Sequence, residues 1–390
     1  YTLMTFLTSI FLGLSMGAGA LFSIYQGRGD QESLKSGVVH AFVLIMGITL
    51  VLNVCVYVFL DPILAFLQVP PSVLPGMREY LLVIFAGLMA TALYNYFSCL
   101  LRALGNSTVP LAFLAVSALL NIALDLLFVL VLHLGIAGAA WATVIAQFVS
   151  GVGILLYVLT HCKALLPSRE NLRYNPLILR ELFSLSALTC LQQSVMNFGI
   201  LMVQGLVNSF GETVMAAFAA AVKIDTFAYL PVQDFGNAYS TFVAQNFGAG
   251  NTQRIREGNK KAFGISALFS VCISAVVCLF AGPLMGLFIH SSETAVIACG
   301  VIYLRIEGAF YCGIGCLFLL YGYFRAIQQP AMSMVLTVIS LGTRVALAYL
   351  LSVWMGETGI WLSIPIGWVL ADITGLWRML HKKRLTTPMA

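Results

Sequence analysis

Apolar stretches of about twenty residues, each long enough for a helix to cross a hydrocarbon core of roughly 30 Å, recur along the whole chain with short polar breaks between them. Eleven spans are predicted, at 1–24, 37–60, 78–101, 109–132, 138–160, 183–208, 213–246, 260–289, 295–324, 330–354 and 358–380. Their apolar character is too continuous for the alternating strands of an outer-membrane barrel, so an all-α integral-membrane bundle follows. Composition closes off a water-soluble fold. The 390 residues are 60% hydrophobic and 9% charged, with a mean hydropathy of +0.96, against about 25% charged in soluble domains.

The formal charge of +5 does not imply a nucleic-acid partner, because the Lys and Arg residues gather in alternate loops. Arg28, Lys35, Arg102, Lys163, Arg169, Arg173, Arg180, Arg254, Arg256, Lys260, Lys261, Arg325, Arg378, Lys382, Lys383 and Arg384 account for sixteen of the twenty. The opposite loops hold only Arg78. The positive-inside rule puts the sixteen, and with them the carboxy terminus, in the cytoplasm of a multi-pass cell-membrane protein.

Of nine cysteines, eight lie within spans and Cys162 at a cytoplasmic edge. No disulfide framework is implied. Cys312 and Cys316 are one helical turn apart but have no nearby His, so they read as small packed side chains and no metal site is expected.

The most basic polar connection, 161–180, carries Pro167 and Pro176 and reads as a cytoplasmic linker between an amino-terminal lobe (1–160) and a carboxy-terminal lobe (181–390). At an offset of 221 residues, Gly27, Gly29, Gly37, Ala41 and Phe42 align with Gly248, Gly250, Gly258, Ala262 and Phe263; Asp30 meets Asn251 and Gly135 meets Gly356. Near that offset, Arg102 and Ala103 answer Arg325 and Ala326. Two homologous bundles in parallel repeat are expected, as in one class of transporter. By this alignment residue 1 answers residue 222, and the chain opens on Tyr1 without Met. A twelve-span protein, six per lobe, is therefore expected, with its first helix and part of the next lying ahead of residue 1.

No GxSxG, Walker, HExxH or paired CxxC pattern is present. No catalytic residue and no cofactor beyond a coupling ion is expected, and the chain does not read as an enzyme. Ionisable residues inside spans are the informative ones, since each costs about 2.5–3.5 kcal/mol at a helix centre and so marks a pathway by default. In the first lobe Asp125 is alone among aliphatics, with Asn121 four residues earlier on the same helical face and able to hydrogen-bond it. Burial disfavours the charged form of such a carboxyl, whereas an entering cation restores it. The second lobe holds Lys223, Asp225, Gln233 and Asp234 on one span, Arg305 and Glu307 on another, then Arg344 and Asp372. Near-cancelling charge suggests structural ion pairs for Lys223, Asp225, Arg305 and Arg344. Pro231 should kink its span, leaving Gln233, Asp234, Glu307 and Asp372 as candidate polar cavity residues.

Several runs resemble the multidrug and toxic compound extrusion (MATE) family: GALFSIYQGRGDQESLKSG, LLRALGNSTVPLAFLAVSALLNIALDLLF, GIAGAAWATVIAQ and VQDFGNAYSTFVAQNFGAGNTQRIREG. The likeness covers essentially the whole chain, and RALGNSTVP with NIALD and GIAGAAWAT is its most specific part. The resemblance implies two six-helix bundles and exchange of organic cations or other amphiphiles for H⁺ or Na⁺. It implies an ion-coupling set of Asn121, Asp125 and Thr143. The family's first-helix Asp has no counterpart among these residues. Where another branch carries acidic residues on its seventh and tenth helices, this sequence has Gln192 or Gln193, and Gly313-Ile314. That departure favours coupling through the first lobe, as in the bacterial DinF-like branch.

Export of small amphiphiles by alternating access, the lobes rocking about the linker, is the expected function, with membrane lipids around a monomeric chain. The alternative is a lipid-linked-precursor flippase of the same superfamily, which calls for a more cationic cavity than the nearly neutral second lobe offers.

Overall fold

A computed structural model of the chain describes residues 2–66, 74–165 and 167–381. Tyr1, Leu166 of the linker, and Lys382, Lys383 and Arg384 lie outside the described residues. Regular structure is helical throughout, with no strand among the described residues. Among the described residues nine helices are long and apolar enough to cross a membrane, or up to eleven when two bent pairs each count as one span.

Two units divide the chain. The first runs Ile10–Ser186, and the second begins at Ala187 and takes in Met4–Ser9. The division falls inside a helix rather than within 161–180. That helix, α8 (Pro176–Asn208), already starts inside the expected linker.

Before α8, α1 (Thr2–Arg28), α2 (Gln31–Val58) and the short α3 (Leu60–Phe66) lead to α4 (Leu74–Ala86), α5 (Leu88–Ala103), α6 (Thr108–Asp125) and α7 (Gly135–His161). After α8, the second unit repeats the order: α9 (Glu212–Gly248), α10 (Thr252–Leu279), α11 (Ala281–Gly286), α12 (Thr294–Gly308), α13 (Tyr311–Ala326), α14 (Pro330–Met355) and α15 (Glu357–His381). Both ends of α10 lie 221 residues after those of α2.

Local chemistry makes that coincidence physical. Gly29 and Gly250 take φ of 73° and 69°, a region only glycine enters at no steric cost, and end the preceding helices. Asp30 and Asn251 then cap α2 and α10 by accepting the amides of Ser33 (2.9 Å) and Arg254 (3.0 Å). The basic residues 254–261 therefore sit on the first turns of α10, not in a free loop.

The spans predicted at 78–101 and 295–324 are each broken, with bends of 41° between α4 and α5 and 51° between α12 and α13. Gly87 and Gly308 stand at the two breaks, again 221 residues apart. A break frees carbonyls that lipid cannot satisfy. Side chains of α2 donate beside the first break: Asn53 to Phe85 O, one of the last four carbonyls of α4, and Tyr57 to Leu82 O, each at 2.8 Å. In the second unit Cys278, 221 residues after Tyr57, approaches Arg305 O at 3.8 Å. Pro231 lies within α9, which stays one continuous helix of 37 residues.

The linker is tied to the first unit. Asn171 Nδ2 donates to Glu32 Oε2 (2.8 Å), and Tyr25 donates to Glu181 (2.9 Å). His40 Nδ1 lies 2.8 Å from Ser36 O while its Nε2 accepts the Asn175 amide at 3.1 Å.

Candidate functional site

In the first unit the predicted polar residues come together on α6 and α7. Asn121 Nδ2 donates to Thr143 Oγ1 at 3.4 Å, and Thr143 donates in turn to Ala139 O at 3.1 Å. The amide expected to orient Asp125 is thus engaged with Thr143, whose hydroxyl hydrogen is already spent on the backbone and whose lone pairs are free to accept. Asp125 Oδ1 is buried and has no hydrogen-bond partner. An acceptor in that state is costly unless a proton or cation occupies it.

Asp125 also stands where the helix changes winding. It ends α6, and Leu126–Val131 continues as a π-helix. Leu132 N bonds Leu127 O at 2.9 Å, a wider ring than the α ladder. His133 and Gly135 follow with φ of 54° and 58°. Such stretches mark functional positions in helices often enough to matter beside a lone carboxylate. The run LLFVLV carries no polar signal of it, so sequence reasoning missed the change. Along the whole of α6 only Pro110, near the opposite end from Asp125, is a buried residue.

The second unit corrects several expectations. Asp225 is 2% exposed and its Oδ1 accepts the hydroxyl of Tyr311; Glu307 and Tyr303 lie within hydrogen-bond reach of it, while Asp225 Oδ2 and Glu307 Oε1 are buried without a donor. Lys223, Asp225, Arg305 and Arg344 do not form the expected ion pairs. The ammonium of Lys223 instead lies 5.9 Å over the ring of Phe288, and the side chain of Arg305 is exposed. Arg344 acts on Asp225 and Glu307 through its charge, while its Nε has no hydrogen-bond partner. The hydroxyl of Tyr311 takes the place an ion pair was given, since it satisfies one oxygen of Asp225 without burying another charge.

Glu307 and Asp372 are 5% and 8% exposed, so both are buried between helices. Of the expected wall residues on α9, Gln233 is half-buried and Asp234 exposed. Asp372 meets the thiol of Cys316 by hydrogen bond, and its Oδ2 lies 3.6 Å from where a Cβ on Gly313 would stand. Gln192 and Gln193 are buried in α8.

The two polar sites are not copies of one another. Offset by 221, Asn121, Asp125 and Thr143 fall on Gly342, Ala346 and Ile364, while Asp225, Glu307 and Tyr311 fall back on Met4, Ala86 and Ala90. The repeat supplies the frame, and each unit adds its own chemistry. Tyr303 and Tyr311 were not singled out from the sequence, although both lie four residues from Glu307 and that spacing was the available signal.

A polytopic helical bundle of two repeated units, with a lone carboxylate in one and a carboxylate cluster in the other, is the construction of a membrane transporter. Comparisons with known proteins agree. The family model MatE matches residues 1–127 and 186–350. The "Probable multidrug resistance protein YpnP" of Bacillus subtilis is 31% identical over 95% of this chain and 83% of its own length. The "Multidrug export protein MepA" of Staphylococcus aureus is 24% identical over 92% and 81%. A solved outward-facing conformation of a multidrug resistance MATE family transporter superposes with a TM-score of 0.93 over 99% of this chain and 87% of that one, at 21% identity. The chain belongs to the MATE family.

Proposed function

We infer that the protein is a secondary antiporter of the cell membrane that exports small amphiphilic or cationic compounds in exchange for H⁺ or Na⁺. The buried, unpartnered Oδ1 of Asp125, at the α-to-π transition beside Asn121 and Thr143, carries this reading. Asp125, Asn121 and Thr143 offer oxygen donors only of the hard kind, which suits a proton or an alkali cation and gives a soft metal no ligand. The names of YpnP and MepA, both multidrug proteins, support the same class of substrate.

Alternating access needs a ligand that distinguishes two conformations, since a ligand of equal affinity for both shifts nothing. Occupancy of Asp125 provides that difference. With the proton or cation bound, the carboxylate is satisfied and the site can stay dry; once it leaves, the charge calls for water or for a cationic substrate. Each unit of difference in proton affinity between the two conformations is worth about 1.36 kcal/mol. The adjoining π-helix is the element whose winding can follow the change.

Uptake of a fluorescent organic cation into inside-out vesicles, under an imposed proton gradient and then a sodium gradient, tests the reading beside Asp125→Asn. Uptake driven by one gradient and abolished in the variant is expected, and names the coupling ion. No uptake under either gradient, with a lipid-linked substrate translocated instead, overturns it in favour of a flippase.

A further inference from the structure

Asp225 on α9 touches both halves of a broken span. Its carboxylate accepts the hydroxyl of Tyr311, the first residue of α13, and is in hydrogen-bond contact with Glu307 in the last turn of α12. The chain bends by 51° between those two contacts. Tyr303, one turn before Glu307, reaches the same pair.

Two carboxyl groups in hydrogen-bond contact need a proton between them, because an ionised carboxylate only accepts. Tyrosine hydroxyls can each satisfy one oxygen but cannot stand in for that shared proton. One proton on the pair leaves one negative charge, and the guanidinium of Arg344 on α14 is the cation facing it. The cluster is then neutral as a whole, the state a buried site tolerates. The other titratable groups turned toward it are Tyr229, one turn along α9, and Cys278 on α10. From α15 the indole of Trp361, which does not titrate, packs against Tyr303 at 4.9 Å between ring centroids.

We propose that Asp225 and Glu307 form a proton-binding site of the second unit, and that the shared proton fixes the bend between α12 and α13. When the proton leaves for water, two negative charges stand side by side against one guanidinium. Glu307 is then released from Asp225, and Tyr311 alone ties α9 to the break. The site is no repeat of the one at Asp125, since by the 221-residue offset its positions fall on the apolar Met4 and Ala86.

Infrared difference spectroscopy of the purified protein through a pH step reads the proton directly. A buried, protonated carboxyl band is expected in the wild type. It is lost in Asp225→Asn and in Glu307→Gln, and retained in Asp125→Asn, which separates this site from the proposed coupling site. Gln at 307 can donate to the Asp225 carboxylate, so the packing is kept. Tyr311→Phe keeps the band and shifts its frequency. Amide exchange at 310–312, corrected for the intrinsic effect of pH, rises as the band is lost in the wild type and stays flat in the Asp225→Asn, Glu307→Gln double variant. A band unchanged in both single variants, or exchange that follows pH equally in the double variant, overturns the proposal.

Discussion

The side-chain amide of Asn121 donates to the hydroxyl of Thr143 across 3.4 Å, tying α6 to α7 one turn before the carboxylate of Asp125. Thr143→Val keeps the shape of the side chain and removes the acceptor. One net hydrogen bond is worth about 1 kcal/mol, so the ion dependence of transport should weaken by about fivefold while the protein still folds. Titrating transport against the coupling ion, wild type beside variant, checks this. An unchanged half-saturation would mean that Thr143 does not support the site.

Gly151 on α7 faces the backbone of α5 so closely that an added Cβ would stand 2.3 Å from Ala90 O. Backbone cannot turn aside, so Gly151→Ala should cost about 1–3 kcal/mol. Gly87→Ala should be milder, because the atom in its way, Gln147 Oε1, ends a side chain that can rotate aside. Gly47→Ala meets nothing within 4 Å on α2 and should be neutral or slightly stabilising. Thermal unfolding of the three variants in detergent gives the order.

Asn53 and Tyr57 donate to carbonyls of α4 beside the first break. Asn53→Leu or Tyr57→Phe should each lower stability by about 1–3 kcal/mol, since each leaves a carbonyl without its donor in a nonaqueous setting. Amide exchange concentrated at residues 82–88 would locate the loss.

Arg78 Nε donates to Asp61 Oδ1 at 2.9 Å, and that hydrogen bond holds the Asp61 carboxyl below its ordinary range. The tie between α3 and α4 is complete above the ordinary carboxylate range and is lost as pH falls through the lowered value. Both groups are exposed, so salt should weaken the tie as well. Amide exchange in α3 should rise with acid and with salt in the wild type, and Asp61→Asn should remove both responses.

Much of the frame was legible because the residues that set it act locally. Gly29 with Asp30, and Gly250 with Asn251, end one helix and cap the next by contacts within a few residues. The breaks at Gly87 and Gly308 were hidden for the opposite reason: apolar composition runs on through them, and their donors come from other helices. Asp125, Asn121 and Thr143 could be picked out as polar residues in apolar runs, but the partner of the Asn121 amide could not. In the second unit, counting opposite charges suggested ion pairs. The sum leaves out that a buried carboxyl can take a tyrosine hydroxyl and stand beside another carboxyl, which is how Asp225, Tyr311 and Glu307 are arranged.

The central claim is that Asp125 holds a proton or cation which substrate binding displaces. Ion release on addition of an organic cation such as tetraphenylphosphonium, followed by a pH indicator and by sodium-22 in the purified protein, measures this directly. Release of one kind of ion on binding in the wild type, absent in Asp125→Asn, is the predicted result. Substrate binding without ion release, or release that persists in Asp125→Asn, would contradict the account.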